Sequence, residues 1–306
     1  MLVLQQMGIF FAFLLIGVIL RRRDLLSEQS CRQLTWMVVN VITPAMLLSP
    51  DLSGYYGRPL SELLWVSGVL LLVQLALTVS AYLMTAALLP PQAQRPIYVL
   101  MYIYTNIALI GVPVVTVTFG PLAVFYMSLF IIVNNVAFFS HGALVLSHAG
   151  RGRIKMGKAL MNPCLLAALL LLFIFLLKLT LPPVLSSFLS RLGAAAPPLA
   201  MMLIGASLAK IPLTAMLKDT RLIIFTFTKM LVVPVLVLLL FKLFVSEREL
   251  LGTCMVIFAT PTGVMVGMLV TLLRPEHLPL ATEGISLTSA VAVITLPLVS
   301  LLTGIS

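Results

Sequence analysis

The sequence predicts an all-α membrane protein: ten transmembrane helices arranged as a 5+5 inverted repeat, with helices four and nine broken and crossing. Three observations carry that expectation. Of the 306 residues, 61% are hydrophobic and 9% charged, with a mean hydropathy of +1.17, well outside the range of soluble domains. The apolar residues fall into runs of about 18 to 25, the length that crosses a bilayer as helix. Two of these runs, almost half a chain apart, are interrupted at their middle by Gly/Pro pairs: Asn106-Ile-Ala-Leu-Ile-Gly111-Val-Pro113 and Ala259-Thr-Pro261-Thr-Gly263. Matched interruptions in two halves of a membrane chain point to a transporter's binding site. Backbone freed at that depth is tolerated only where protein or a water-filled cavity receives it.

Polar and Pro/Gly punctuation places the spans at 2–20, 31–49, 62–86, 97–119, 122–147, 159–178, 193–210, 222–244, 249–273 and 282–304. The first run is not a secretory leader, because its charges, Arg21, Arg22 and Arg23, follow the apolar stretch instead of preceding it. It is expected to be a retained helix that starts outside. Spans four and five are separated only by Phe119-Gly120-Pro121. A basic connection, residues 148–158, divides the chain into a first five-helix repeat (1–147) and a second (159–306). An odd number of spans per half makes the second half enter from the opposite face, so the repeat must be inverted. Pro44 in span two has a counterpart 153 positions later in Pro197, and the break at Gly111–Pro113 recurs 150 positions later at Pro261–Gly263.

The formal net charge of +10 would suit nucleic acid, but the basic residues sit in short clusters between apolar runs and form no stripe with interleaved aromatics. Threading the ten spans leaves 13 Lys and Arg on one side and five (Arg58, Lys178, Arg191, Lys242 and Arg248) on the other, with Lys229 inside the membrane. The positive-inside rule makes the richer side cytoplasmic and puts both ends outside, so no nucleic-acid partner is needed. Cys31, Cys164 and Cys254 are scattered singly, as are His141, His148 and His277. They offer no disulfide framework and no metal spacing, and the chain calls for no cofactor.

The chemistry is expected at the two breaks. Each brings a half-helix N-terminus to the midplane, and free N–H groups with a partial positive charge favour an anion. The candidate substrate-binding residues are Asn106, Gly111 and Pro113 in helix four and Thr260, Pro261, Thr262 and Gly263 in helix nine. The amide of Asn106 suits freed carbonyls or a ligand. Lys229 is the one basic residue well inside a span, at a depth of about 12 Å by helix rise. At that depth its ammonium either snorkels to the interface or lies near the crossing as a counter-charge, and such a residue is functional by default. Of the acids, Glu62 and Glu249 fall at span edges and Glu283 at the start of helix ten. No carboxylate is expected at the midplane, where a cation exchanger needs one. Intramembrane hydrolysis finds neither an aspartate pair nor a Ser/His pair, so the chain is not read as an enzyme. Gly205, Ala206 and Ala209 are expected to let helices approach closely.

At these residues the chain resembles the auxin efflux carrier family. Asn106-xxxx-Gly111-x-Pro113 looks like the family's helix-four crossover and Pro261-x-Gly263 like its helix-nine crossover. Pro44, Asn162-Pro163, Met202 to Ala209 and Thr295-Leu-Pro297 resemble family helices two, six, seven and ten. The resemblance implies the sodium/proton antiporter-like fold, with a scaffold of helices 1, 2, 6 and 7 and a transport core of helices 3, 4, 5, 8, 9 and 10. It implies a homodimer in a bacterial inner membrane. It also implies a secondary transporter that carries a small organic carboxylate, malate-, malonate-, lactate- or auxin-like, by an elevator mechanism. Sodium-dependent relatives of this fold bind cations near the crossing; with no acid there, Lys229 is expected to replace them, making ion coupling dispensable or limited to protons. Thr260 and Thr262 stand where an asparagine would be expected in helix nine, and a bacterial-type organic-acid carrier fits better than an auxin carrier. Two other functions use the same fold: a membrane sensor without turnover, and a cation/proton exchanger, against which the acid inventory speaks.

Overall fold

The computed structural model describes residues 2–147, 162–209 and 219–305. Among them every regular element is helical, and the one β-type contact is an isolated bridge. Helix α1 (Leu2–Arg22) ends on Arg21 and Arg22, where cations complement the helix dipole. α2 (Glu28–Met37) is capped by Ser27, whose hydroxyl accepts the Ser30 N–H, and continues through a π turn (Val38–Ile42) into α3 (Thr43–Leu48). α4 (Leu60–Leu88) is one long helix. α5 (Arg95–Ile103) is followed by an irregular stretch, a π turn (Ile107–Gly111) and α6 (Val112–Phe119). Gly120, at φ +81°, makes the corner that separates α6 from α7 (Pro121–Ala137), because a left-handed φ suits glycine. α7 runs through a π turn (Phe138–Gly142) into α8 (Ala143–Ser147).

The remaining helices begin with α9 (Pro163–Leu176), capped by the Asn162 side chain on the N–H groups of Cys164 and Leu165. α10 (Pro183–Gly193) and α11 (Ala196–Leu208) follow. α12 (Thr220–Phe227), a π turn (Thr228–Val232) and α13 (Val233–Phe241) form one rod. α14 (Arg248–Ala259) and α15 (Val264–Leu273) are the halves of a second broken helix, and α16 (Leu278–Thr303) closes the chain. The basic connection 148–158, the start of span six, Lys210 and Lys218 lie outside the described residues.

Five helical stretches of the described chain are long and apolar enough to cross a membrane, and the halves Ile107–Phe119 and Val264–Leu273 are shorter apolar helices. The protein is an integral membrane protein. One boundary differs from expectation, since helix begins at Pro183 and not at 193. Proline suits the first turn of a helix, and α10 mixes exposed Val184, Leu185 and Phe188 with polar residues, so it lacks the uniform apolarity that marks a span.

Three of the four π turns end two residues before a proline: Ile42 before Pro44, Gly111 before Pro113 and Val232 before Pro234. Proline removes a donor and its ring collides with the carbonyl four residues back. The wider π turn accommodates both, and the rod continues.

The broken helices form the centre. Every residue of α14 from Leu250 to Ala259 is buried, as is every residue of α5 from Ile97 to Ile103. α1 and α11 meet backbone to backbone: a Cβ on Gly17 would lie 1.9 Å from the Met202 carbonyl oxygen, and one on Gly205 would lie 2.0 Å from that of Leu14. Small residues permit this approach in membranes, where van der Waals packing drives association.

The turns sort onto two faces. Tyr56 Oη donates to the Leu179 carbonyl at 2.5 Å, and Arg58 bonds Glu62, Tyr126 (2.9 Å) and Glu247 (2.8 Å). These contacts gather the ends of α3 and α9 and the starts of α4, α7 and α14. At the far end of α4, about 40 Å away by helix rise, Arg274 Nη1 donates to the Ala93 carbonyl at 2.9 Å. The α4–α5 and α15–α16 turns therefore share the other face.

Candidate functional site: the helix crossing

The two breaks meet. Thr105 and Thr262 form an antiparallel bridge, in which Asn106 N–H donates to the Pro261 carbonyl and Gly263 N–H to the Tyr104 carbonyl, each at 2.8 Å. Thr260 is extended at φ −75°, ψ 142°, as a residue before proline prefers to be. Gly263 is needed for space, because a Cβ there would lie 2.8 Å from the Thr105 carbonyl oxygen.

In helix four the interruption lies at Tyr104–Asn106, upstream of the Gly111–Pro113 pair that the sequence marked. Gly111 and Pro113 stand in the outgoing half-helix. The π turn takes up the proline there, with Val112 N–H reaching back to the Ile107 carbonyl, so the ladder widens without stopping. A Cβ on Gly111 would meet Ile107 at an ordinary 3.5 Å. Thr260, Pro261, Thr262 and Gly263 all lie at the crossing, where they were expected, and so does Asn106.

Each half-helix end leaves backbone groups without intrahelical partners, and the crossing satisfies most of them. The Thr262 hydroxyl donates to the Met101 carbonyl at 2.7 Å, Lys229 Nζ to that of Tyr102 at 2.9 Å and the Thr260 hydroxyl to that of Ile257 at 3.0 Å. Thr262 N–H donates to Thr288 Oγ1 on α16 at 3.1 Å, and Ile107 N–H to the Thr105 carbonyl at 2.9 Å. The first amides of both outgoing halves are thus used by the fold. Those that remain for a ligand belong to the next positions, Ala108 and Leu109 on one half and Val264 and Met265 on the other. From the neighbouring α2–α3 rod, Thr43 Oγ1 donates to the Ala108 carbonyl at 3.2 Å.

Lys229 does not snorkel. It is 2% exposed, it binds the carbonyl end of α5, and its Nζ lies 5.2 Å from the centre of the Tyr102 ring. None of the nine acidic residues is buried, and Glu283 is exposed on α16. The crossing therefore holds a buried lysine with no carboxylate beside it. Asn106 is 6% exposed and its side chain caps no helix. Thr105 Oγ1 is buried with no hydrogen-bond partner among the described residues, where such a group is costly unless a ligand or water meets it. Among those residues no cluster of His, Cys, Asp and Glu could hold a metal.

The sequence profile of a family described as membrane transport protein matches residues 2–156 and 151–300, nearly the whole chain. The chain belongs to the auxin efflux carrier family. It is a membrane transport protein and not an enzyme. No curated protein matches it. Sequence reasoning missed three residues of this carrier's crossing: Tyr104, Thr105 and Thr288. The signal for two of them was present, since Tyr104-Thr105-Asn106 is a run of three polar side chains inside an apolar segment. Thr288 shows no local signal, because its role depends on where α16 packs.

Proposed function

We propose that this carrier is a secondary active transporter of a small organic carboxylate, bound at the crossing and moved by an elevator-type displacement of the core. The observation that carries the reading is the buried Lys229 side chain at a half-helix end, with no carboxylate of the chain buried beside it. Protonated in low dielectric, that side chain and an anionic guest favour one another, and the remaining amides of the outgoing half-helices add to it. Asn106 and the Thr105 hydroxyl orient the substrate, Thr260 to Gly263 shape its floor, and Lys229 supplies the electrostatic balance. Gly111 and Pro113 serve by setting the direction of the outgoing half-helix.

The scaffold in this reading is α1, α2–α3, α9 and α10–α11, and the other helices are the core. The two faces onto which the turns sort support the alternating threading of ten spans and an inverted repeat, with the Arg274 face cytoplasmic. Purified carrier is to be tested for thermal stabilisation by malate, malonate, lactate, succinate and indole-3-acetate, then for uptake in proteoliposomes. At least one acid is expected to stabilise the protein and be carried. Asn106→Ala is expected to lose that stabilisation while folding normally. An unchanged affinity in this variant removes Asn106 from the site, and stabilisation by none of the acids, with no uptake, overturns the function.

A further inference from the structure

His141 is the one imidazole described within a rod, and it bridges two tyrosines. Tyr82 Oη on α4 lies 3.0 Å from His141 Nε2, and Tyr104 Oη at the crossing lies 3.1 Å from Nδ1. Tyr104 Oη also lies 2.9 Å from the Ala137 carbonyl and must donate to it. The hydroxyl then accepts from Nδ1–H, while Nε2 faces the Tyr82 hydroxyl, from which it accepts when the ring is neutral and to which it donates when the ring is protonated. The arrangement is built for that ring. Tyr104 packs edge-on against Phe138 at 4.8 Å. A Cβ on Gly142 would lie 3.0 Å from the Tyr104 ring. The π turn that holds His141 is the one not followed by a proline, and π turns of this kind recur at functional sites.

Tyr82 is 47% exposed and lines a cavity of about 520 Å³ with Gln92 and Arg95, next to the α4–α5 turn. A chain of hydrogen bonds thus runs from Tyr82, at the edge of this cavity, through His141 to the hydroxyl of Tyr104, the residue whose backbone carbonyl belongs to the crossing. We propose that His141 is a proton-binding site, loaded from this cavity through Tyr82 and read out at the crossing through Tyr104. When a proton binds, the Tyr82 O–H bond breaks as an Nε2–H bond forms. The Tyr82 oxygen takes a proton from hydronium in the cavity, leaving water there, and the imidazolium donates from both nitrogens. No other bond of the chain must break.

Among the described residues, the ionisable groups bonded to His141 are Tyr82 of α4 and Tyr104 after α5, Arg95 lines the cavity with Tyr82, and α15, packed on α8, has no ionisable side chain. A charge added there therefore acts mainly on Tyr104, whose carbonyl holds Gly263 N–H. Resting on the carboxylate reading, the same charge favours an anion at the crossing, and by linkage a bound anion favours the proton.

The test uses the full-length carrier in lipid nanodiscs with ¹⁵N-labelled histidine and glycine, the His141 signals being assigned with His141→Gln. His141 is expected to be neutral at pH 8 and to take up a second proton as the pH falls. The Gly263 amide is expected to shift with the same midpoint. Tyr82→Phe, which removes only an exposed hydroxyl, moves the midpoint, and Tyr104→Phe uncouples Gly263 from it. A ring that stays neutral throughout, a midpoint untouched by Tyr82→Phe, or a Gly263 amide indifferent to pH overturns the proposal. A separate arm measures malate binding. Affinity is expected to rise about tenfold from pH 8 to pH 6, within the usual range of coupling between sites, and His141→Gln is expected to flatten it. If malate does not bind at any pH, the carboxylate reading fails for malate, while the imidazole signal still decides the proton site.

Discussion

Gly263 stands at the break of its helix and Gly111 in the outgoing half of the other broken helix, and only Gly263 is there for space. A methyl at 263 would press on the Thr105 carbonyl at 2.8 Å, a backbone atom that cannot rotate away, and overpacking of this kind costs about 1–3 kcal/mol. A methyl at 111 meets ordinary contacts inside a helical turn, where alanine is favoured over glycine by about 0.5–1 kcal/mol. Gly263→Ala is therefore expected to lower the unfolding temperature in detergent and abolish ligand stabilisation, while Gly111→Ala leaves both unchanged or slightly improved. At Lys229 the residue itself was legible as the sole cation deep in a span. Its direction was not, because that depth permits an ammonium at either the interface or the interior. The carbonyl end of α5 decides, since Tyr102 offers an acceptor in a low-dielectric setting. Lys229→Met leaves that carbonyl unpaired at a cost of about 1–3 kcal/mol. It is expected to fold with reduced thermal stability and to lose carboxylate binding, and transport equal to wild type would remove Lys229 from the site.

Among elements, the sequence marks helix ends and spans better than it marks breaks. The observed helices 60–88, 121–147 and 278–303 lie close to the expected spans 62–86, 122–147 and 282–304, because apolar length alone defines them. The break in helix four was displaced because proline shows where a ladder widens, whereas the extended residues Tyr104–Asn106 exist only through their pairing with Thr260–Gly263. That pairing joins residues more than 150 positions apart, which no local pattern encodes. The α1–α11 pair was legible from the other direction, through Gly205 in a run of small residues. Gly205→Val is expected to wedge these helices apart and yield aggregated or poorly extractable protein. Gly68→Val, on a face of α4 with nothing within 4 Å of the added Cβ, is expected to behave as wild type. Monodispersity on size-exclusion chromatography separates the two, and equal behaviour would show that the α1–α11 contact is not limiting.

For the whole molecule, the charge asymmetry in the sequence and the contacts between turns are two separate grounds for the proposed threading. One counts lysines and arginines, and the other finds Arg58 with Glu247 at one end and Arg274 with Ala93 at the other. What composition does not hold is motion, because displacement depends on which surfaces slide. The elevator reading makes a definite demand here. Thr43 of the α2–α3 rod touches the Ala108 carbonyl of the crossing helix at 3.2 Å, so a scaffold residue contacts the substrate-bearing segment in this state. If the core slides past the scaffold, that contact must break in every transport cycle. A carrier with cysteines at Thr43 and Ala108 and with Cys31, Cys164 and Cys254 replaced is expected to transport when reduced. Bridging the pair with mercuric ion should stop transport while leaving carboxylate stabilisation intact, and thiol should restore it. Unimpaired transport by the bridged protein would mean that helix two and the crossing travel together, and the division into scaffold and core would have to be drawn elsewhere.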